Sequence, residues 1–216
     1  MLQKICSFIC LMAATSAFAA NELQKDIDRA TSIIHDFKAM PESSIPADII
    51  KNAKGLVILN IIKAGFVVSG RGGIGLVIAR TGKGWSAPSA VGVGGAGFGF
   101  QIGAEVTDFV LVLNNQEAVD AFANGTNVAL GVDVSMAAGP VGRTAEGGVM
   151  PVAAIYTYSR SQGLFAGVSL EGTIVGERKE TNQEFYKKPY TAAEILSGSV
   201  SQPKSAEKLY AELKSY

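Results

Sequence analysis

The feature that most constrains this chain is its glycine-rich middle, from Gly70 to Gly176, where short apolar runs alternate with glycine turns. Such runs, rich in β-branched residues, are typical of strands. Glycine inside a strand permits bends, bulges and the close approach of two backbones. The pattern therefore favours a small sheet that is closed or strongly curled rather than flat. With 25 glycines in 216 residues and 48% hydrophobic residues, the composition is globular and unusually rich in glycine.

Segments with the residue composition of β-strands recur along most of the chain after residue 54. The predicted strand segments are Gly55–Val68, Gly75–Arg80, Ser89–Val106, Phe109–Leu113, Val128–Ala138, Val152–Arg160 and Leu164–Glu177. Ser161-Gln162-Gly163 predicts a hairpin turn between the last two segments. One short helix, Gln116–Ala123, interrupts the strands and ends at Asn124-Gly125.

Helices are predicted at both ends. Apolar residues at spacings of four and three form one stripe on an amphipathic N-terminal helix, namely Leu23, Ile27, Ala30, Ile34 and Phe37. A short helix opens at Pro46, and C-terminal helices are expected at Thr191–Leu196 and after Pro203. Two interpretations of the N-terminal helix stay open: it packs on its own domain, or it also lies on a membrane. The predicted fold is α+β, with a strongly curled, barrel-like antiparallel β core and helices from both termini packed around it.

The first 19 residues have the pattern of a secretory signal peptide. Lys4 precedes an apolar run, Ile5–Ala14, and Ala17-Phe18-Ala19 is an A-x-A site that predicts cleavage before Ala20. A retained N-terminal anchor or a lipoprotein at Cys10 are alternatives. The sequence thus predicts a leader over 1–19 and one domain over 20–216. It also predicts an exported protein, secreted or periplasmic, that associates with the cell envelope as a peripheral membrane protein.

The rest of the chain offers little for catalysis. Both cysteines, Cys6 and Cys10, lie in the leader, and His35 is the only histidine, so no metal site, thiol chemistry or cofactor is expected. Gly92–Gly97 matches GxGxxG, but strand-like residues follow it where dinucleotide binding needs a helix. The net charge is zero, which disfavours nucleic-acid binding. The sequence therefore predicts a protein that is not an enzyme.

Positive charge is concentrated around the first apolar strands, at Lys51, Lys54, Lys63 and Arg71. In one straight strand Lys63 and Arg71 would lie roughly 26 Å apart. They would meet only if the chain folds back between them, which Gly70 permits. For each of these residues a solvated surface charge is the alternative to a binding role.

Several blocks of the sequence, in order, resemble the SYLF domain family of lipid-binding and actin-regulator-like proteins, also known as Las17-binding proteins. The resemblance covers nearly the whole chain after the leader. The blocks are Lys54–Arg80, Trp85–Ala90, Gly103–Asn114, Gly139–Arg143, Gly163–Gly172 and Glu177–Tyr186.

The resemblance implies a non-catalytic, peripheral lipid-binding module. Phosphoinositides or other anionic phospholipids would be bound by an amphipathic N-terminal helix and by basic residues. Carried over by position, the lipid-binding residues are Lys25, Arg29, Lys38, Lys51, Lys54, Lys63 and Arg71. Some fungal relatives also bind actin, so a protein partner is a further expectation. The alternative is a structural or protein-interaction scaffold of the cell envelope, or a small outer-membrane β protein.

Overall fold

The fold is α+β, built on one curled sheet. A computed structural model describes residues 22–40, 44–125, 127–140, 153–162, 170 and 172–216, with the backbone alone at 65–69, 97–103 and 162. Seven strands of the described chain form the sheet, in the order β2-β1-β3-β6-β5, with β7 pairing both β3 and β4. The predicted fold class, a curled β core with N- and C-terminal helices, is confirmed. The predicted division at residue 19 lies outside the described residues and stays a prediction.

Two very long strands dominate the sheet. Strand β1 spans Gly55–Thr81 and β3 spans Ser89–Leu113. They pair antiparallel from Gly55 opposite Leu113 to Val77 opposite Ser89, with one register shift between Phe66 and Val68. The sequence predicted two shorter strands in place of each. In β1 the glycines between the two predicted segments were read as turns, whereas here they continue the extended backbone.

Strand β1 folds back on itself. The backbone N–H of Arg80 donates to the carbonyl of Lys54 at 2.7 Å. A Cβ placed on Gly73 would lie 2.5 Å from the carbonyl oxygen of Asn60. The stretch after the curl therefore lies directly against the stretch before it, and only a residue without a side chain fits at the contact.

Shorter strands complete the sheet. These are β2 (Gly84–Trp85), β4 (Val128–Ala129), β5 (Met136–Ala138), β6 (Ile155–Gln162) and β7 (Ile174–Glu177). Strand β6 pairs antiparallel with β3, and β5 pairs parallel with β6. The predicted strand Val128–Ala138 is divided into β4 and β5 by a turn in which Gly131 has φ 80°.

One face of the sheet is covered by helices from both ends of the chain. Helix α1 (residues 22–39), α2 (Ala47–Asn52) and α6 (Glu207–Lys214) contribute to a single core with the sheet, and a 3-10 turn, Lys204–Ala206, leads into α6. The whole predicted apolar stripe of α1 is buried there, at 0–2% exposure. The interpretation that α1 packs on its own domain is therefore confirmed.

The opposite face carries α3 (Gln116–Ala123), whose bounds match the prediction and whose N-terminus is capped by Asn115. Helix α5 (Ala192–Leu196) begins with a capping box formed by Thr191 and Glu194. Helix α4 (Lys179–Tyr186) was not predicted, because its sequence is polar and lacks an apolar stripe. It is fixed instead by Asn182, a fully buried amide.

Replacing Asn182 with alanine is expected to lower the free energy of unfolding by about 2–4 kcal/mol. The side-chain oxygen accepts from the backbone N–H of Ala90 at 2.8 Å, and its nitrogen donates to Ser89 at 2.9 Å and to Glu177 at 3.1 Å. Alanine leaves these buried groups without partners. Denaturant unfolding measures the change, and Gln183→Ala, in the next and exposed position of α4, is the matched control. Equal stabilities of the two variants would contradict this role of Asn182.

Candidate functional site

The first cationic surface lies where α2 meets the start of β1. Lys51 and Lys54 are exposed there, as is Lys83 in the turn between β1 and β2. The Arg80 guanidinium donates to the carbonyl of Ile50 at 2.9 Å. These four cations, Lys51, Lys54, Arg80 and Lys83, are called the basal corner.

Arg80 is held rigidly in the basal corner. Its guanidinium lies 3.7 Å from the centre of the Trp85 ring, and burial lowers its pKa. Arg80 and Lys83 were missed from the sequence. The signal that would have found them is the tight turn that pairs Arg80 with Trp85.

The second cationic surface lies around the curl of β1. Lys63 is opposite Glu105 in the strand register, and the guanidinium of Arg71 donates to the hydroxyl of Thr173 at 3.0 Å. A Cβ on Gly73 would lie 3.0 Å from Cα of Ile61. The segments carrying Lys63 and Arg71 therefore approach each other, as the predicted fold-back requires.

One flank of α1 adds charges to this end of the sheet. Arg29 donates to the side chain of Asn60 at 2.8 Å, and Lys25 is exposed one turn earlier. Asp36 pairs with Arg160 at 2.7 Å. Asp26 pairs with Arg178 at 2.7 Å, and Glu22 also pairs with Arg178. These contacts fasten α1 to the sheet along its length. Lys25, Arg29, Lys63 and Arg71 are called the ribbon-end cations.

Lys38 belongs to neither surface. It lies on the other flank of α1, where its ammonium donates to Glu212 at 3.0 Å and to Ser215 at 2.6 Å. His35 also contacts Glu212, at 3.3 Å. The hydrogen bond from Lys38 is the main cause that lowers the pKa of Glu212. Lys38 therefore joins α1 to α6, and the structure does not bring it together with the other predicted cations.

The described residues offer neither a dinucleotide-binding turn nor a metal site. Gly92–Gly97 lies inside β3, so the glycines belong to a strand and do not open a helix. Within the described part of the chain, no group of three His, Cys, Asp or Glu side chains is arranged to hold a metal ion. No helix among those residues is both long and apolar enough to cross a membrane.

Asp26 makes the stability of the folded domain depend on pH. Burial raises the pKa of this carboxyl from 3.8 to about 6, although the Arg178 guanidinium opposes the shift. A carboxyl whose pKa is higher in the folded state binds its proton more tightly there. Its contribution to stability is therefore largest below pH 4 and falls as pH rises through about 6.

The test compares the wild type with Asp26→Asn, which cannot titrate. The unfolding free energy of the wild type relative to the variant should rise by about 2 kcal/mol as pH falls from about 8 to about 4. Denaturant unfolding across that range measures it. Asp28→Asn, exposed on the same helix, should keep the wild-type pH profile. Parallel curves for the wild type and Asp26→Asn would contradict the assignment.

A family model described as "Ysc84: Las17-binding protein actin regulator" matches residues 94–216, more than half of the chain. The chain belongs to the Ysc84 family. The resemblance to the SYLF domain family drawn from the sequence blocks is thereby confirmed.

Relatives of this Ysc84-family chain are found in animals and fungi. It is similar to SH3 domain-containing YSC84-like protein 1 of Rattus norvegicus, 48% identical over 204 residues that cover 91% of this chain and 60% of the relative. It is also similar to LAS seventeen-binding protein 3 of Saccharomyces cerevisiae, 49% identical over 176 residues that cover 79% and 38%. The chain thus spans about 60% or less of the length of these relatives.

The comparisons contradict the predicted localisation. The matching relatives are eukaryotic proteins of rat, human and yeast, not secreted or periplasmic ones. The prediction of an exported protein of the periplasm or cell envelope is therefore wrong, and with it the outer-membrane alternative. An apolar run behind one lysine is shared by many kinds of segment, so it does not by itself determine a compartment.

Proposed function

We propose that this Ysc84-family domain attaches, without catalysis, to anionic membrane surfaces through its surface cations. The observation that carries the proposal is that a chain of zero net charge gathers six of its seven predicted cations on two local surfaces. Net charge cannot attract such a chain to a bilayer, so a local patch must do so. A cation close to an anionic membrane contributes about 1 kcal/mol, and the attraction fades within a Debye length.

Helix α1 takes part in this attachment without leaving the domain. Its apolar stripe is fully packed in the core, and laying that stripe on a membrane would open the core beneath it. Three contacts with Asn60, Arg160 and Arg178 also hold its flank. The part of α1 that meets lipid is therefore this same flank, on which Lys25 and Arg29 are exposed.

Co-sedimentation with liposomes tests the proposal with three variants of equal charge change. Lys25→Gln/Lys63→Gln neutralises the ribbon end, Lys51→Gln/Lys54→Gln the basal corner, and Lys204→Gln/Lys208→Gln two exposed lysines of the C-terminal helices. The wild type should bind phosphatidylserine or phosphoinositide liposomes and bind neutral ones much less. Neutralising the surface that meets the membrane should weaken binding roughly thirtyfold, since two cations contribute about 2 kcal/mol. Binding that ignores head-group charge, and is equal in all three variants, would contradict the proposal.

A protein partner is the second candidate function. It is favoured by the relatives' names, because one is a Las seventeen-binding protein and others are SH3 domain-containing proteins. Calorimetric titration of this chain with purified Las seventeen protein tests it. Saturable binding would support a protein-interaction role, and no heat at high concentrations of both proteins would oppose it.

A further inference from the structure

The sheet face that α1 covers continues beyond α1, and no helix of the described residues lies over this continuation. Five large hydrophobic side chains are exposed in the described residues, and four of them lie on this continuation: Ile62 at 53%, Ile74 at 38%, Val106 at 39% and Ile174 at 46%. Large side chains exposed to this degree and gathered in one place indicate a binding surface rather than ordinary surface scatter. This surface is called the open face.

The four side chains belong to one continuous surface. Ile62 is opposite Val106, and Ile74 is opposite Gly92, which in turn pairs with Gly176 of β7. Gly72 pairs with Gly94, and Gly94 with Ile174. The two halves meet where Gly73 lies against Asn60 and Ile61.

The open face is the same side of the sheet as the floor beneath α1. Leu56, Ile58, Leu76 and Ile78 pack in the α1 core. Side chains alternate between faces with a period of two, so Ile62 and Ile74 point to that side as well. The polar contacts of Asn60, Arg160 and Arg178 with α1 mark the border between the covered and the open parts.

The floor of the open face is smooth, and Glu177 and Arg178 line the groove that runs over it. A Cβ on Gly72 or on Gly94 would meet nothing within 4 Å, so these residues form a bare floor between the isoleucines. An open groove of about 630 Å³ runs over Gly92, Gly94, Ile74 and Ile174. The formal charges of the side chains along the border cancel, because four acidic residues face four basic ones: Glu22, Asp26, Asp36 and Asp108, and Lys25, Arg29, Arg160 and Arg178. It therefore does not repel an anionic surface.

We infer that the open face rests on the acyl region of a lipid bilayer, an inference that depends on the proposed membrane attachment. Protein partners are usually held by side chains that are anchored in pockets. A flat floor of glycines offers no such pocket, and it suits the fluid acyl chains of a bilayer better. Lys25 and Arg29, on the flank of α1 that borders the open face, lie within reach of the phosphates. Lys63 and Arg71, at odd positions of β1, point to the other side of the sheet. The basal corner is eight residues from Ile62 along β1, roughly 26 Å away. The bilayer is thus met at the ribbon end.

Polar substitution on the open face tests the inference. Ile62→Asn/Ile74→Asn/Ile174→Asn should fold normally, because all three side chains are already partly in water. In about 0.5 M salt, where attraction between charges is screened, the wild type should keep a fraction bound to anionic liposomes. The triple variant should lose that fraction, with a partition coefficient lower by roughly tenfold or more. Val132→Asn, which changes a still more exposed apolar residue (77%) in the turn after β4, is the matched control and should bind like the wild type.

A second readout locates the contact. Ile174→Cys in a background with Cys6 and Cys10 replaced by serine carries a polarity-sensitive dye at one site. Its emission should shift to the blue on anionic liposomes and be quenched by nitroxides attached to lipid acyl chains. A dye at Val132→Cys should show neither effect.

The outcomes separate the inference from the proposed function. If the wild type binds liposomes and the triple Asn variant binds equally well at every salt concentration, the open face is not the contact and the electrostatic proposal stands. If the wild type binds no liposome, the proposed function itself fails. If the wild type forms a dimer in light scattering that the triple variant lacks, a second copy of the chain covers the open face and the inference is overturned.

Discussion

Replacing Gly75 with alanine is expected to abolish stable folding or to lower the free energy of unfolding by about 4 kcal/mol or more. A Cβ at this position would lie 2.0 Å from the carbonyl oxygen of Ile58 and 3.0 Å from Cα of Leu59. Both atoms belong to the backbone and cannot rotate away as a side chain would. The strand would have to open at the contact that closes the curl.

Gly72→Ala is the matched control for this prediction. It makes the same change three residues earlier on the same strand, where an added Cβ meets nothing within 4 Å. Its stability should stay within about 1 kcal/mol of the wild type, because alanine also lowers the entropy of the unfolded chain. Thermal and denaturant unfolding measure both variants. If Gly75→Ala is as stable as Gly72→Ala, the two halves of β1 do not come into backbone contact at Gly75.

Truncating Phe37 to alanine should be the next most destabilising change, at about 3–5 kcal/mol. Phe37 is 1% exposed and lies in the core that α1, α2 and α6 share with the sheet. The loss combines the apolar transfer energy with the cavity that remains under α1. Denaturant unfolding, followed by circular dichroism and by Trp85 fluorescence, measures it.

This prediction also tests whether α1 is an integral part of the domain. Ser32→Ala, on the exposed side of the same helix, should leave stability nearly unchanged. In Phe37→Ala the unfolding transitions seen by circular dichroism and by Trp85 fluorescence should both move to the same lower denaturant concentration, because one shared core is weakened. If helical signal is lost early while the Trp85 transition is unmoved, α1 is a separable element.

The curl of the sheet and α3 were predictable because they depend on local signals. Repeated strand glycines indicate close backbone approach, and Asn124-Gly125 marks the end of α3 in the sequence. The continuity of β1 was not predictable, since a glycine that turns the chain and one that lets two strands touch look alike in one sequence. Helix α4 was not predicted because its stability comes from Asn182, whose partners Ser89 and Ala90 are about ninety residues away along the chain.

The cationic residues, too, were predictable only in part. Their residue types and positions suggested anion binding, but their grouping depends on contacts between distant segments. Lys38 was predicted to bind lipid together with Lys25 and Arg29, but helical geometry places it on the opposite flank, where Glu212 of α6 binds it. The open face was invisible in the sequence for a related reason. Ile62 and Ile74 look like ordinary core residues until the position of α1 shows which part of the sheet it leaves uncovered.

Hydrogen exchange in the presence of anionic liposomes tests the central claim most directly, namely that the domain binds a bilayer with α1 docked and the ribbon end in contact. The account predicts that amides of residues 22–39 keep their protection on phosphatidylserine liposomes, while amides of β1 and β3 around Ile62 and Gly94 become slower to exchange. Neutral liposomes should change neither region. Faster exchange throughout α1 on binding, with no change around Ile62, would show that the helix leaves the core to enter the membrane and would contradict the account.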